Sequence, residues 1–169
     1  AAWRRINPWA FRRPLAPILA ARLEGRTLGL REVLHWIRPW TSGEGWLIVE
    51  GAGGLLTPLG TDFSARELIG ALRCRTLVVV PNRLGAVNQG RLVFETLPAS
   101  ARRRAAIVLT PVDGRDSSQS TNLGLLEELV RPAPVFQCPR VRLAGKRRRL
   151  GRGLAEGPEV RALVAWLGL

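Results

Sequence analysis

Short apolar runs alternate with helix-like segments along this chain, and this alternation limits the folds open to it. The runs are Trp46–Glu50, Thr76–Val80, Ala105–Leu109 and Pro134–Gln137. They lack the polar–apolar alternation of a strand with one solvent-exposed face. They are therefore typical of parallel strands that helices cover on both sides. The sequence therefore predicts an α/β fold with a parallel sheet and right-handed crossovers.

The segments between these runs carry helical patterns. Apolar residues recur at helical spacing over 30–37, 91–97 and 123–130. Ser64–Glu67 has the sequence of a capping box, which marks the start of another helix. Pro158 suits the first turn of a final helix. Because strand and helix alternate without a dividing linker, residues 1–169 are expected to form a single domain.

The charge balance suggests a nucleic-acid partner. The chain has 26 Lys and Arg residues against 13 Asp and Glu residues, a net charge of +13, and an excess of this kind attracts polyanions. The densest basic run, Arg140–Arg152, has no aromatic side chains between its charges, so no base-stacking platform is visible. This run favours a solvated face over a specific nucleic-acid site, and segment 141–157 is expected to be basic and flexible.

The remaining composition excludes several classes of protein. Cys74 and Cys138 lie among apolar residues and predict buried free thiols, and one His with two distant Cys cannot build a zinc site. No apolar run approaches the roughly 18 residues of a membrane-spanning helix, and early arginines interrupt any signal-peptide segment. Asp113 and Asp116 lie in a polar loop and are expected to be solvated. The sequence thus predicts a cytoplasmic protein with no membrane partner.

A carboxylate followed by glycines ends the first apolar run. Glu50 would lie at the carboxyl end of a strand, where α/β proteins bind ligands. The glycines of 51–54 let backbone amides approach an anion closely. Mg²⁺ takes one or two carboxylates together with phosphate oxygens. The pattern fits a Mg²⁺–phosphate site, and it fits a plain strand-to-loop turn with a solvated Glu equally well.

A second segment, Pro81–Gln89, follows the valine-rich run and opens a helix. The helix-opening amides from Gly85 to Asn88 could hold a carboxylate or a phosphate. A Gly and an Asn after a strand are also common turn residues. Taken alone, this segment indicates an anion site only weakly.

Three blocks together resemble the dethiobiotin synthetase family, the ATP-dependent cyclising ligases of biotin synthesis. They are Ile6–Pro17, Val49–Gly54 and Val80–Asn88, in the order and at the spacing of the family. The resemblance is clear from Ile6 to Leu97 and weaker as far as Pro139. It implies a three-layer, P-loop-type sheet and a homodimer. It also implies that 7,8-diaminopelargonic acid, CO₂ and ATP react with Mg²⁺ as cofactor to give dethiobiotin.

The resemblance also carries site residues over by position. The residues that match the nucleotide site, with Glu50 as the Mg²⁺ carboxylate, are Glu50, Gly51, Ala52, Gly53, Thr110 and Pro139. Those that match the segment reaching the substrate carboxylate across the dimer interface are Leu84, Gly85, Ala86, Val87 and Asn88. Two positions depart from the family pattern: Thr110 stands where an adenine-reading Asn is usual, and Gln89 stands where His is usual.

The phosphate-binding motif of the family, G-x-x-x-x-G-K-[ST], is absent from these residues. Lys146 is the only lysine, so no catalytic residue is assigned and the chain by itself is expected to be inactive. Because it lacks Met and opens at Ala1, we expect the N-terminal strand and P-loop of the fold to be missing from this sequence. The alternatives are a related ligase acting on another amine or carboxylate, and an inactive relative that binds nucleic acid or a protein through its basic surface.

Overall fold

The computed structural model describes residues 6–114, 116–140 and 157–169. Contacts divide the chain into two compact units, residues 1–73 and residues 74–169. The segment 141–157, predicted to be basic and flexible, lies outside the described residues except for Gly157. No helix among the described residues is both long enough and apolar enough to cross a membrane.

The regular elements described in the N-terminal unit are helices. Helix α1 spans Pro17–Leu23, α2 spans Leu30–Ile37, a 3₁₀ turn covers Arg38–Trp40, and α3 spans Ala65–Leu72. Its core is made of apolar side chains from α2, α3 and the two loops that precede them: Leu28, Val33, Ile37, Leu59, Phe63 and Leu68. The helical spacing over 30–37 therefore correctly predicted which face of α2 is buried.

The start of α3 confirms the predicted capping box. The Ser64 hydroxyl accepts a hydrogen bond from the Arg66 N–H (3.2 Å), and the Glu67 carboxylate accepts one from the Ser64 N–H (2.9 Å). The Ser64 hydroxyl also donates to Glu67 at 2.6 Å. These bonds satisfy amides that have no acceptor within the helix. Hydrogen bonds from the side chain and backbone of Ser64 lower the pKa of Glu67 from its usual 4.5 to about 2.

The loop before α3 packs closely on the chain that precedes α2. The N–H groups of Leu59 and Gly60 both donate to the Phe63 carbonyl (3.1 and 3.2 Å), and the Thr61 N–H donates to the Leu28 carbonyl (2.9 Å). A Cβ atom at Gly60 would overlap the Leu28 carbonyl oxygen and the Phe63 ring. Only glycine fits at this position without displacing its neighbours.

The C-terminal unit carries a three-stranded parallel sheet. Strand β1 spans Thr76–Pro81, β2 spans Ala105–Thr110 and β3 spans Val135–Gln137, in the spatial order β1-β2-β3. Three of the four predicted strands are thereby confirmed, and so is the α/β class with its parallel sheet. Burial of all five residues from Ala105 to Leu109 shows that both faces of β2 are covered.

Helices connect and flank these strands. Helix α4 spans Ala86–Thr96, α5 spans Ala99–Arg102, α6 spans Asn122–Leu129 and α7 spans Pro158–Leu167. A 3₁₀ turn, Ser117–Ser120, precedes α6. The helix predicted over 91–97 begins earlier, at Ala86, because Gly85 adopts φ +90° and turns the chain directly from the strand end into the helix.

The prediction of a buried strand over Trp46–Glu50 is wrong. The segment is irregular and exposed, and the Ile48 side chain is 88% exposed. A strand needs a neighbour for its backbone N–H and carbonyl groups and a covering layer for its apolar side chains. None of the described strands pairs with this segment, so its apolar composition alone does not make it a strand.

The two cysteines are free, as expected, but the prediction that they are buried is wrong. Cys74 is exposed and Cys138 is half-buried. Cys74 lies between α3 and β1, and Cys138 lies one residue beyond β3. Their positions just outside regular elements leave them partly open to solvent, although apolar residues surround them in the sequence. Partial burial raises the pKa of the Cys138 thiol.

Candidate functional site

The three strands end side by side at one edge of the sheet. The Asn82 N–H donates to the Thr110 carbonyl (2.8 Å), and the Cys138 N–H donates to the Leu109 carbonyl (2.8 Å). These bonds bring two predicted nucleotide-site residues, Thr110 and Pro139, to the ends of neighbouring strands. Open α/β sheets bind ligands outside the carboxyl ends of their strands, so this edge is a candidate binding surface.

The predicted substrate segment, Leu84–Asn88, follows the end of β1 and runs into the first turn of α4 at this same edge. The Ala86 N–H donates to the Arg83 carbonyl (2.9 Å). The N–H groups of Val87 and Asn88 belong to the first turn of α4, where no acceptor exists within the helix. Amides in such a turn can bind a carboxylate or a phosphate. Asn88 is also exposed, so the segment can be reached from solvent.

The carboxylate of Asp116 fixes the beginning of this segment. It accepts hydrogen bonds from the Leu84 N–H (2.6 Å), the Ser118 N–H (2.8 Å) and the Ser118 hydroxyl (2.6 Å). The bond from the Ser118 side chain contributes most to lowering the pKa of Asp116, followed by the bond from Leu84. The expectation that Asp116 is a merely solvated loop residue is therefore wrong, whereas Asp113 is exposed and its carboxylate accepts a hydrogen bond from the Arg140 side chain.

A second set of polar contacts lies at the end of β1. The Asn122 Nδ2 group donates to Asn82 Oδ1 (2.8 Å) and to the Arg83 carbonyl (3.3 Å), and Asn82 Nδ2 donates to the Gln119 carbonyl (3.2 Å). Asn82 and Asn122 are both buried, and buried amides require such partners. Sequence reasoning missed Asn122, because its partners lie far away along the chain.

The predicted phosphate loop, Glu50–Gly53, is exposed and lies in the N-terminal unit. Its shape is held by Thr57, whose hydroxyl accepts a hydrogen bond from the Gly54 N–H (2.9 Å) and whose N–H donates to the Gly54 carbonyl (3.0 Å). Gly53 adopts φ +83°, and a Cβ atom there would lie 2.7 Å from Thr57 Oγ1. Glycine is therefore required at position 53 for both backbone conformation and space.

Glu50 is an exposed carboxylate at the start of this loop. The described ranges contain no group of three His, Cys, Asp or Glu side chains that could hold a metal ion by themselves. A Mg²⁺ ion bound by Glu50 would take its other ligands from nucleotide phosphate and water, which is how Mg²⁺ is usually held in nucleotide sites. Glu50 therefore fits as one ligand among several, and not as a complete metal site.

Comparison with known proteins gives this geometry its context. A family model described as an AAA domain matches residues 1–146. An ATP-dependent dethiobiotin synthetase BioD from Bacillus subtilis (strain 168) is 38% identical over 126 residues, which cover 73% of this chain and 54% of that protein. The enzyme of the same name from Anaeromyxobacter sp. (strain Fw109-5) is 34% identical over 153 residues, covering 90% of this chain and 69% of its own length.

The chain belongs to the dethiobiotin synthetase family.

A further member, from Caulobacter vibrioides (strain NA1000 / CB15N), is 35% identical over 142 residues, which cover 82% of this chain and 64% of that protein. The chain thus spans between about half and two thirds of the length of these relatives. The Anaeromyxobacter match, at 153 of 169 residues, reaches past Pro139. Family membership confirms the resemblance carried by the three sequence blocks, and the names of these relatives describe ATP-dependent synthetases.

Proposed function

We propose that this protein is an ATP-dependent dethiobiotin synthetase, in which Mg-ATP drives the joining of CO₂ to 7,8-diaminopelargonic acid and closure of the ureido ring. The observation that carries the proposal is the first turn of α4. It presents the Val87 and Asn88 amides at the carboxyl edge of a parallel sheet. The chain around it is 34–38% identical to enzymes of this name.

The substrate carboxylate is assigned to the Leu84–Asn88 segment. A negatively charged group is favoured at a helix N-terminus because unbonded N–H groups and the helix dipole both attract it. Gly85, at φ +90°, sets the turn into the helix. In the proposed homodimer this segment serves the site of the partner subunit, and the reaction takes place in the cytoplasm.

The nucleotide is assigned to two parts of the chain. Thr110 and Pro139, at neighbouring strand ends, form walls of the base pocket. The Thr110 hydroxyl lies 3.4 Å from the Val80 carbonyl, to which it donates, so it offers less to a base than a side-chain amide would. Main-chain amides of Gly51–Gly53 approach the phosphates, and Glu50 holds the Mg²⁺ ion.

In this proposal these residues bind and orient the substrates. In phosphoryl transfer most of the catalysis comes from positioning and from neutralising charge, and Mg²⁺ supplies part of that neutralisation when bound. No catalytic residue is assigned within residues 1–169, which contain no G-x-x-x-x-G-K-[ST] motif. In this proposal the Leu84–Asn88 segment binds and orients the substrate carboxylate.

The test is an assay of the polypeptide encoded by the complete reading frame that contains Ala1–Leu169. With 7,8-diaminopelargonic acid, bicarbonate and Mg-ATP, it should produce dethiobiotin and ADP. Glu50→Ala should abolish Mg²⁺-dependent ADP release. Glu44→Ala, which removes an exposed carboxylate six residues earlier, should leave it unchanged. Absence of dethiobiotin would contradict the proposal, and unchanged turnover in Glu50→Ala would refute the metal role alone.

The net charge of +13 favours one second candidate, an inactive relative that binds nucleic acid or a protein partner through its basic surface. Phosphate contacts weaken steeply as salt rises, because binding releases counterions from the nucleic acid. A titration with duplex DNA at increasing salt separates the two functions. Binding at low salt that disappears at high salt supports the second candidate. Absence of binding at low salt excludes nucleic acid as the partner of such a relative.

A further inference from the structure

The N-terminal part of the Leu84–Asn88 segment, before α4 begins at Ala86, has little of its own structure to hold it. Between the end of β1 and the start of α4, the local backbone bonds join Arg83 N–H to the Pro81 carbonyl (3.0 Å) and Ala86 N–H to the Arg83 carbonyl (2.9 Å). The Leu84 side chain is 79% exposed, so apolar packing contributes little. The shape of this part, before α4 begins, must therefore depend on contacts from elsewhere in the chain.

Those contacts come from the connection between β2 and α6. Asp116 accepts the Leu84 N–H, and Asn122 donates to the Arg83 carbonyl. Ser118 joins the two side chains, since its hydroxyl donates to Asp116 (2.6 Å) and accepts from Asn122 Nδ2 (3.3 Å). A single hydrogen-bonded network thus holds the residues on the N-terminal side of Gly85.

The network also determines which amides remain for a ligand. The Leu84 N–H is already bonded to a carboxylate, so it is not available to the carboxylate of a substrate. The negative charge of Asp116 also disfavours a second anion at that position. An incoming carboxylate is left with the N–H groups farther along, in the first turn of α4, where Val87 and Asn88 have no acceptor in the helix.

We propose that Asp116 and Asn122 are positioning residues that fix the Leu84–Asn88 segment and direct the substrate carboxylate to the first turn of α4. The inference rests on the proposed function of that segment. Neither residue touches the substrate, and both act through backbone groups of Arg83 and Leu84. The preference of this site for a substrate that carries a carboxylate then depends on the connection between β2 and α6.

The first test is amide hydrogen exchange in the complete polypeptide, followed by NMR. Asp116→Ala should speed exchange of the hydrogen-bonded amides of Leu84, Ala86 and Gln89 about tenfold or more, because the local opening that exposes them becomes easier. Asp113→Ala removes an exposed carboxylate from the same loop and should leave these amides unchanged. Unchanged exchange in Asp116→Ala would overturn the proposal. Asp116→Asn, which keeps an acceptor oxygen, should give an intermediate effect.

The second test compares two ligands by calorimetry, 7,8-diaminopelargonic acid and its carboxamide. Asp116→Ala and Asn122→Ala should weaken binding of the acid about tenfold while leaving the carboxamide unchanged. A general loss of structure would weaken both ligands equally, and that result would overturn the proposal, as would no change for either. If the unaltered polypeptide does not bind the acid, the proposed function fails, and hydrogen exchange still decides the positioning role.

Discussion

The side-chain amide of Asn122 lies 2.8 Å from the side-chain oxygen of Asn82, and this bond joins two residues 40 positions apart. Asn82 follows β1, and Asn122 is the first residue of α6. Both are about 95% buried, with relative exposures of 5% and 4%. The pair thus ties together two consecutive strand-to-helix connections at the candidate binding edge of the sheet.

Loss of this pair should destabilise the fold. Asn122→Leu keeps the approximate size of the side chain but leaves the Asn82 oxygen and the Arg83 carbonyl without their donor. A buried acceptor without a partner costs about 1–3 kcal/mol. Urea unfolding should show a loss of that size. Asn88→Leu, at an exposed position in α4, should change the free energy of unfolding by no more than about 0.5 kcal/mol.

A double variant tests whether the hydrogen bond between Asn82 and Asn122 is the source of this stabilisation. Replacing both partners with apolar residues removes the unsatisfied group, so Asn82→Leu combined with Asn122→Leu should cost less than the two single changes added together. Strict additivity of the two losses would contradict the assignment of the stabilisation to this hydrogen bond.

The capping box of α3 should make stability depend on acid pH. The folded-state pKa of Glu67 is lowered from 4.5 to about 2, so its contribution is complete above pH 4.5 and is lost as the pH falls toward 2. The Glu67 side chain is 38% exposed, and water screens its interactions. We therefore expect about 1 kcal/mol, typical of a helix cap.

Urea unfolding between pH 7 and pH 2 measures this contribution. In Glu67→Gln the side-chain oxygen can still accept from the Ser64 N–H, so stability at pH 7 should fall only slightly. The decline in stability between pH 4.5 and pH 2 should become shallower than in the unaltered chain. Glu128→Gln, at an exposed position in α6, serves as the control. Equal pH profiles for both variants would exclude Glu67 as a source of the acid sensitivity.

Gly60 should tolerate no side chain. Its Cβ would overlap the Leu28 carbonyl and the Phe63 ring, and crowding of this kind costs about 1–3 kcal/mol. Gly43 has no atom within 4 Å of an added Cβ and no positive φ. Thermal unfolding should therefore show a clear loss for Gly60→Ala and almost none for Gly43→Ala. A Gly60→Ala variant as stable as Gly43→Ala would show that the loop adjusts freely.

The features that the sequence predicted correctly are those with local causes. Val78 and Ile107 lie in runs whose composition favours buried strands, and the Ser64–Glu67 spacing encodes a helix cap directly. Each of these signals lies within a few residues, so no knowledge of the rest of the fold is needed to find it. The parallel sheet and its flanking helices follow from the alternation of apolar runs and helical patterns along the chain.

The features that the sequence did not predict depend on distant partners. Trp46–Glu50 has the composition of a buried strand but has no neighbouring strand in the described structure. The bond from Leu84 to Asp116 spans 32 positions, and nothing near Asp116 in the sequence marks it as part of the candidate site. Pairing of this kind depends on which loops the sheet brings together.

Thr57 should control how well the Glu50–Gly53 loop binds phosphate. Its hydroxyl holds the Gly54 N–H at 2.9 Å, and Thr57→Val has nearly the same shape without the acceptor. Loss of one such bond is worth about 1 kcal/mol, which corresponds to an increase of about fivefold in the Kd for Mg-ATP. Thr57→Ser keeps the hydroxyl and should bind Mg-ATP nearly as tightly as the unaltered polypeptide. The melting temperature should fall by a few degrees in Thr57→Val, because the bond to Gly54 is lost, and should change little in Thr57→Ser. Equal Mg-ATP affinity in Thr57→Val and Thr57→Ser would mean that the shape of this loop does not limit nucleotide binding.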